Sequence, residues 1–296
     1  MKRAERVKVV DLVGLFMRDG HAAKKFFVQA QRFYEYSFPP EEREPIIVAR
    51  RYISDSIKAI RAGKKVRFHY LVAVAGGESR GMTSFNLLPV RNVGLVAFMG
   101  YIVTQINYKG IGIGRALVNG VESVAGRHAK TGAAFGEIEQ PRGMKNEMRD
   151  VIRPNFHTKH TGMGAVVIEK KNGKVFVVPY RQPGIITGKR IPPPVPLLPC
   201  ITPIAGGKFQ RIDAALAGKV ITKDGKLNKK IEIPTVLSGT IYAILSAVLN
   251  DCYGLLPDIY SRRQIKTILT GIEKAFQGVR YAYLAPISDC RLLPPV

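Results

Sequence analysis

The chain has 296 residues, of which 46% are hydrophobic and 23% charged. That balance excludes a disordered or fibrous protein and leaves enough apolar material for one large domain, or a core domain with an extension. Lys and Arg number 46 against 22 Asp and Glu, a formal net charge of +24, so a phosphate-bearing cofactor, nucleic acid or an anionic membrane is favoured as a partner.

In chain order, "MKRAERVKVVDLVGLF" is basic, but Glu5 and Asp11 interrupt it and it does not read as a secretory signal. "DGHAAKKFFVQAQRFYEYSF" has helical spacing, with Phe26, Phe27, Ala30, Phe33 and Tyr34 on one stripe. The helix stops at "SFPPEEREP", where Pro39, Pro40 and Pro45 forbid its continuation. A second helix fits "IIVARRYISDSIKAIRAG" and ends at Gly63. "KVRFHYLVAVAGG" alternates as a strand does, turns at Gly76-Gly77 and returns as "SRGMTSFNLLP". "GLVAFMGYIVTQI" is nearly all apolar, as a strand covered on both faces would be. Arg91 and Lys109 bracket this stretch, which is too short to cross a bilayer as a helix. No membrane span is expected, and the expected compartment is cytoplasmic.

"YKGIGIGRALV" follows, and a helix is predicted over roughly 114–127, with Ala116, Leu117, Val121 and Val124 on one side. "AAFGEIEQP" reads as a short strand, and "GMKNEMRDVIRPNFHTKHTG" as an irregular helix interrupted by Pro154. "GAVVIEKKNGKVFVVPY" reads as a hairpin turning at Asn172-Gly173. "GKRIPPPVPLLP" is expected to be an extended connection over the surface. "GKVITKDGKLNKK" reads as a hairpin around Asp224-Gly225 or as a loop. Two helices fit "VLSGTIYAILSAVLNDCYG" and "SRRQIKTILTGIEKAFQG", and "YAYLAPISDC" adds one more strand. The order of elements predicts an α+β or α/β protein. Its three cysteines, Cys200, Cys252 and Cys290, lie far apart with no CxxC pair, so no metal site is expected and each reads as a small buried apolar residue.

The glycines of 108–118 fail two phosphate-binding patterns. No Gly-Lys-Ser/Thr follows them, which rules out a P-loop, and Gly110-Ile111-Gly112-Ile113-Gly114 has the wrong register for a dinucleotide turn. Lys109-x-x-Gly112-x-Gly114 instead meets the pattern Arg/Gln-x-x-Gly-x-Gly/Ala, with a conservative change at its first position. Here the sequence resembles the GNAT superfamily of N-acetyltransferases. "YKGIGIGRAL" looks like that superfamily's acetyl-CoA signature at Tyr108, Gly110, Gly112, Ile113, Gly114, Arg115, Ala116 and Leu117. The resemblance covers about residues 20–182. It implies a mixed central sheet flanked by helices in a domain at 1–182, with 183–296 as a proline-rich connection and helical C-terminal extension packed on that core.

The cofactor implied is acetyl-CoA or another acyl-CoA. Main-chain N–H groups at a helix N-terminus attract its pyrophosphate, glycine lets it approach, and Lys109 and Arg115 add charge. Candidate cofactor-binding residues are thus Lys109, Gly110, Ile111, Gly112, Ile113, Gly114 and Arg115. The resemblance also implies that Ile102, Thr104 and Ile106 offer backbone hydrogen bonds to the pantetheine arm.

The proton chemistry is less conventional. Many superfamily members carry a glutamate on the strand before the signature, and none occurs from Gly94 to Ile106. Glu137 and Glu139, two apart on a strand and so on one face, are the substitutes, with ion pairing to Arg142 or Lys145 as the alternative. The tyrosine that often protonates the departing thiolate is missing from "NFHTKHTGMG", which leaves His157, His160 or Tyr180 as candidate acids. Glu41, Glu42 and Glu44 either line an acceptor cleft or cap the next helix. The expected activity is acyl transfer to an amine-bearing small molecule or protein by direct attack in a ternary complex, since no cysteine lies near the cleft. The alternative is a basic binding module in a nucleoprotein assembly that keeps the fold with degraded catalysis.

Overall fold

The segments on either side of Gly76-Gly77 do fold back on each other. In the computed structural model, which describes residues 7–38, 40, 43–105, 111–128, 131–138, 156–186, 190–203 and 214–294, β2 (Phe68–Ala75) pairs antiparallel with β3 (Glu78–Val90). Both turn glycines take positive φ, 59° and 71°, a region that L side chains seldom adopt. A three-residue turn leads into β4 (Gly94–Thr104), and Gln105 N–H donates back to the Arg80 carbonyl at 2.8 Å, closing a second hairpin.

The basic N-terminal stretch contains a strand. β1 (Lys8–Asp11) pairs antiparallel with β2, from Lys8 opposite Val74 to Asp11 opposite Leu71. Its last residue then caps a helix that sequence reasoning did not foresee, α1 (Leu12–Arg18), as the Asp11 side chain accepts from Val13 N–H. Asp19 caps α2 (Gly20–Ser37) in the same way, accepting from Ala22 N–H at 2.9 Å. α3 spans Ile46–Arg61 and α4 spans Ile113–Gly126.

Contacts divide the chain into two units, Met1–Leu87 with Ala97–Ala129 and Leu88–Val96 with Lys130–Val296. In the first, β2 is covered on both faces, which is why its burial does not alternate. Phe68, Tyr70 and Val72 join Leu12, Phe27, Ala30, Tyr34 and Ile53 in the core under α1–α3. The opposite face meets α4: a Cβ placed on Gly120 would lie 3.1 Å from Leu71 Cδ1 and 2.8 Å from Val9 Cγ1.

The second unit is built on strands ordered β5 (Thr131–Ile138), β10 (Leu198–Pro203), β6 (Gly164–Glu169), β12 (Tyr281–Pro286) and β11 (Thr235–Leu237), with β7 (Val175–Val177) also on β6. A minor pair, β8 (Arg181–Gln182) and β9 (Val195–Pro196), stands apart. Here a sequence expectation is corrected. The proline-rich stretch, read as surface connection, ends inside the sheet: its last two residues, Leu198 and Pro199, begin β10, antiparallel to β5 on one side and β6 on the other. Leu198, Cys200 and Ile201 are fully buried. α5 (Ser238–Ala247) runs into a π-helical turn, Val248–Tyr253, and α6 (Arg262–Phe276) is capped by Ser261. The hairpin reading of "GKVITKDGKLNKK" holds, with Ile221 bridged to Leu227. All three cysteines are buried, and none is in a disulfide. No helix among the described residues is long and apolar enough to cross a membrane.

Candidate active site

The glycine segment lies in the first unit, after β4. Ile106, Lys109 and Gly110 fall outside the described residues, which resume at Ile111. Gly112 takes φ +86° and stands at the N-cap of α4, where it provides no side-chain cap. Its carbonyl accepts from Ala116 N–H at 2.9 Å, the first helical bond. The N–H groups of the turn before that bond are the ones a helix leaves for an anion. No acidic residue occupies the first turn. Ile111, Gly112 and Arg115 are exposed and Gly114 is half-buried, whereas Ile113 is buried. Ile113 therefore serves the core with its side chain and can offer a ligand only its main chain. These residues fit a phosphate group: an open αL glycine, an uncapped helix start and a guanidinium nearby. On β4, Ile102 and Thr104 are half-buried and alternate with the buried Val103.

The carboxylate lies in the second unit. Glu137 sits near the end of β5 opposite Pro199 of β10, and is half-buried. Phe135, two residues earlier on the same face, packs edge-on to Tyr180 with ring centroids 6.0 Å apart. The Tyr180 hydroxyl donates to Glu137 Oε1. The sequence-derived base and acid candidates are thus brought together. A third residue joins them that sequence reasoning missed. Tyr253, at the end of the π-helical turn, has its hydroxyl 2.9 Å from Glu137 Oε1 and 2.8 Å from Oε2, and its ring lies 4.7 Å from that of Tyr260. The turn is held by Gly254 N–H donating to the Leu249 carbonyl at 2.9 Å, one residue wider than an α-helical bond. The only available signal was the aromatic pair Tyr253 and Tyr260 flanking a helix end, which is common enough to mean nothing by itself.

Tyr180 is fully buried and Tyr253 nearly so. Burial, followed by the Glu137 charge, holds both phenols well above their ordinary pKa. They are neutral donors throughout the physiological range, and both protons are directed at Glu137 rather than outward. Glu139 lies outside the described residues, and of His160 only the backbone is described. His157 begins a short π-helical segment, His157–Thr161. Glu41 and Glu42 are not described, and Glu44 does not cap α3: the helix begins at Pro45 with no side-chain cap, and Glu44 N–H donates to the Tyr101 hydroxyl at 3.2 Å. No group of three or more His, Cys, Asp or Glu suited to a metal occurs among the described residues.

The sequence matches no family model and no curated protein. In fold it is similar to solved acetyltransferase structures. One, from Bacteroides thetaiotaomicron and ascribed to the GNAT family, is 16% identical over 71% of this chain and 89% of its own, with a TM-score of 0.41. Another ascribed to that family, from Desulfovibrio desulfuricans, is 16% identical over 68% of this chain and 100% of its own, at 0.42. The NatC complex bound to Gag peptide and CoA gives 15% over 68% and 99%, at 0.41. At such scores the overlap adds no weight to the strand order and hydrogen bonds described above.

Proposed function

We propose that this protein transfers an acyl group from acyl-CoA, acetyl-CoA first, to an amine. The observation that carries the proposal is the glycine segment: Gly112, in an open left-handed conformation, starts α4 with no side-chain cap and with Arg115 exposed beside it. Gly112, Gly114 and Arg115, with Lys109 and Gly110 before them, would hold the pyrophosphate, and Ile102, Thr104 and Ile106 the pantetheine arm. Bound acyl-CoA supplies the activated thioester.

The chain's own residues handle the acceptor. Glu137 takes the proton of the incoming ammonium, and its negative charge in a strongly basic protein favours a cationic acceptor. Tyr180 and Tyr253 are positioning residues: two neutral donors on one carboxylate fix its orientation and favour its ionised form. Glu139 lies outside the described residues and is the second carboxylate candidate by sequence alone.

The test couples binding to turnover. Acetyl-CoA should raise the melting temperature, by an amount equivalent to about 2.7 kcal/mol at a hundredfold excess over Kd. Glu137→Gln should keep that shift while kcat for CoA release with a peptide or polyamine acceptor falls about 10²- to 10⁴-fold. Tyr253→Phe and Tyr180→Phe should move the acidic limb of the pH–rate profile upward, because each removes a donor to the charged carboxylate. No thermal shift at millimolar acetyl-CoA overturns the cofactor assignment. Unchanged turnover in Glu137→Gln overturns the base.

A further inference from the structure

Two lysine-rich turns, some fifty residues apart, are joined in the second unit. The β6–β7 turn carries Lys171 and Lys174, and the turn at 222–230 carries Lys223, Lys226, Lys229 and Lys230, all six exposed. Lys174 and Lys226 form an antiparallel bridge, and Val175 N–H donates to the Gly225 carbonyl at 2.8 Å. Each turn is itself fixed. Asn172 Oδ1 accepts from Lys174 N–H and Thr222 Oγ1 from Lys226 N–H, both at 3.1 Å. Gly173 and Gly225 both take φ +75°.

Among the described residues, two carboxylates answer these cations. Lys226 lies 3.2 Å from Asp224, and Lys229 lies 3.5 Å from Glu169. The ammonium groups of Lys171, Lys174, Lys223 and Lys230 have no partner among the described residues. Backbone hydrogen bonds thus hold like charges together against their repulsion, an arrangement that a polyanion relieves.

The patch also indicates which polyanion. A membrane surface would call for apolar side chains among the cations, but Val220, Ile221 and Leu227 are buried. Single strands are held by aromatic stacking, and residues 170–174 and 219–230 include no aromatic residue. Bases in the major groove are read most often by the fork of arginine, and these turns carry only lysine, a point charge on a flexible stem. We propose that the paired turns bind the phosphodiester backbone of double-stranded nucleic acid without reading its sequence. The proposal is independent of acyl transfer.

The test is fluorescence anisotropy of the full chain with a short random-sequence duplex, in DNA and RNA arms, across about 50 to 200 mM salt. One variant combines Lys171→Glu, Lys174→Glu, Lys223→Glu and Lys230→Glu. A charge-matched reference combines Lys24→Glu, Arg50→Glu, Arg51→Glu and Arg61→Glu, all exposed on α2 and α3. The patch variant should bind more than tenfold more weakly than the reference, and its log–log salt slope should shrink by about 3 to 4, at about 0.9 per phosphate. If charge reversal prevents folding, the four Lys→Gln changes should act in the same direction. Equal losses in both variants, no duplex binding at the lowest salt, or stronger binding to phosphatidylserine vesicles than to duplex would each overturn the proposal.

Discussion

Gly81 and Gly112 show how differently two glycines can matter. A Cβ on Gly81 would lie 2.6 Å from Ile113 Cγ2 and 2.9 Å from the Val103 carbonyl oxygen, so β3 accepts the first residue of α4 only because that side chain is missing. Gly112 has open space around its would-be Cβ, but its φ is +86°. Gly81→Ala should therefore cost about 1–3 kcal/mol through overpacking, and Gly112→Ala about 1–2 kcal/mol through backbone strain, both read as lower urea midpoints. The sequence drew attention to Gly112 because a row of glycines is conspicuous. Gly81 sat unremarked in a strand, since its neighbour Ile113 is 32 residues away and only packing reveals it. The same holds for the carboxylate. Glu137 and Tyr180 were legible as candidates by type and position. Tyr253, 116 residues from Glu137, was not.

Among the elements, local signals were sufficient where the hydrogen bonds are local. The hairpin at Gly76-Gly77, the helix ended by Gly63 and the turn at Asn172-Gly173 all form as their residues suggest. β1 and β10 escaped notice because a strand is stabilised by partners elsewhere in the chain, and neither a basic N-terminal stretch nor a proline-rich one advertises it. Pro199 and Pro203 even argue against a central strand, yet β10 pairs on both sides. One more long-range tie fixes the C-terminal segment. Asp289, 1% exposed, accepts from the N–H groups of Gly218 at 2.6 Å, Val220 at 2.9 Å and Ile221 at 3.2 Å. Asp289→Asn places an amide donor against backbone donors and should cost about 1–3 kcal/mol, measured by urea unfolding.

Across the whole molecule, buried phenols set an alkaline limit. Tyr34, Tyr70, Tyr101, Tyr180 and Tyr253 all have their pKa raised from an ordinary value near 10, in each case first by burial. A raised folded-state pKa means that the native state keeps a proton the unfolded chain would lose. The stability these groups contribute is whole below pH about 10 and is lost as pH rises above it. Tyrosinate absorbance should therefore show these five silent until the chain unfolds, with both events sharing one alkaline midpoint. Separate ionisation before unfolding would contradict their burial.

The sequence by itself determined the charge, most of the helices, the hairpin turns and the glycine-rich entry to α4, because each depends on residues within a few positions of one another. Tertiary structure alone decided which strands lie between others, that Tyr180 and Tyr253 converge on Glu137, and that two lysine turns share one edge. Those arrangements depend on burial and pairing between distant segments, and no local pattern encodes which distant segment arrives.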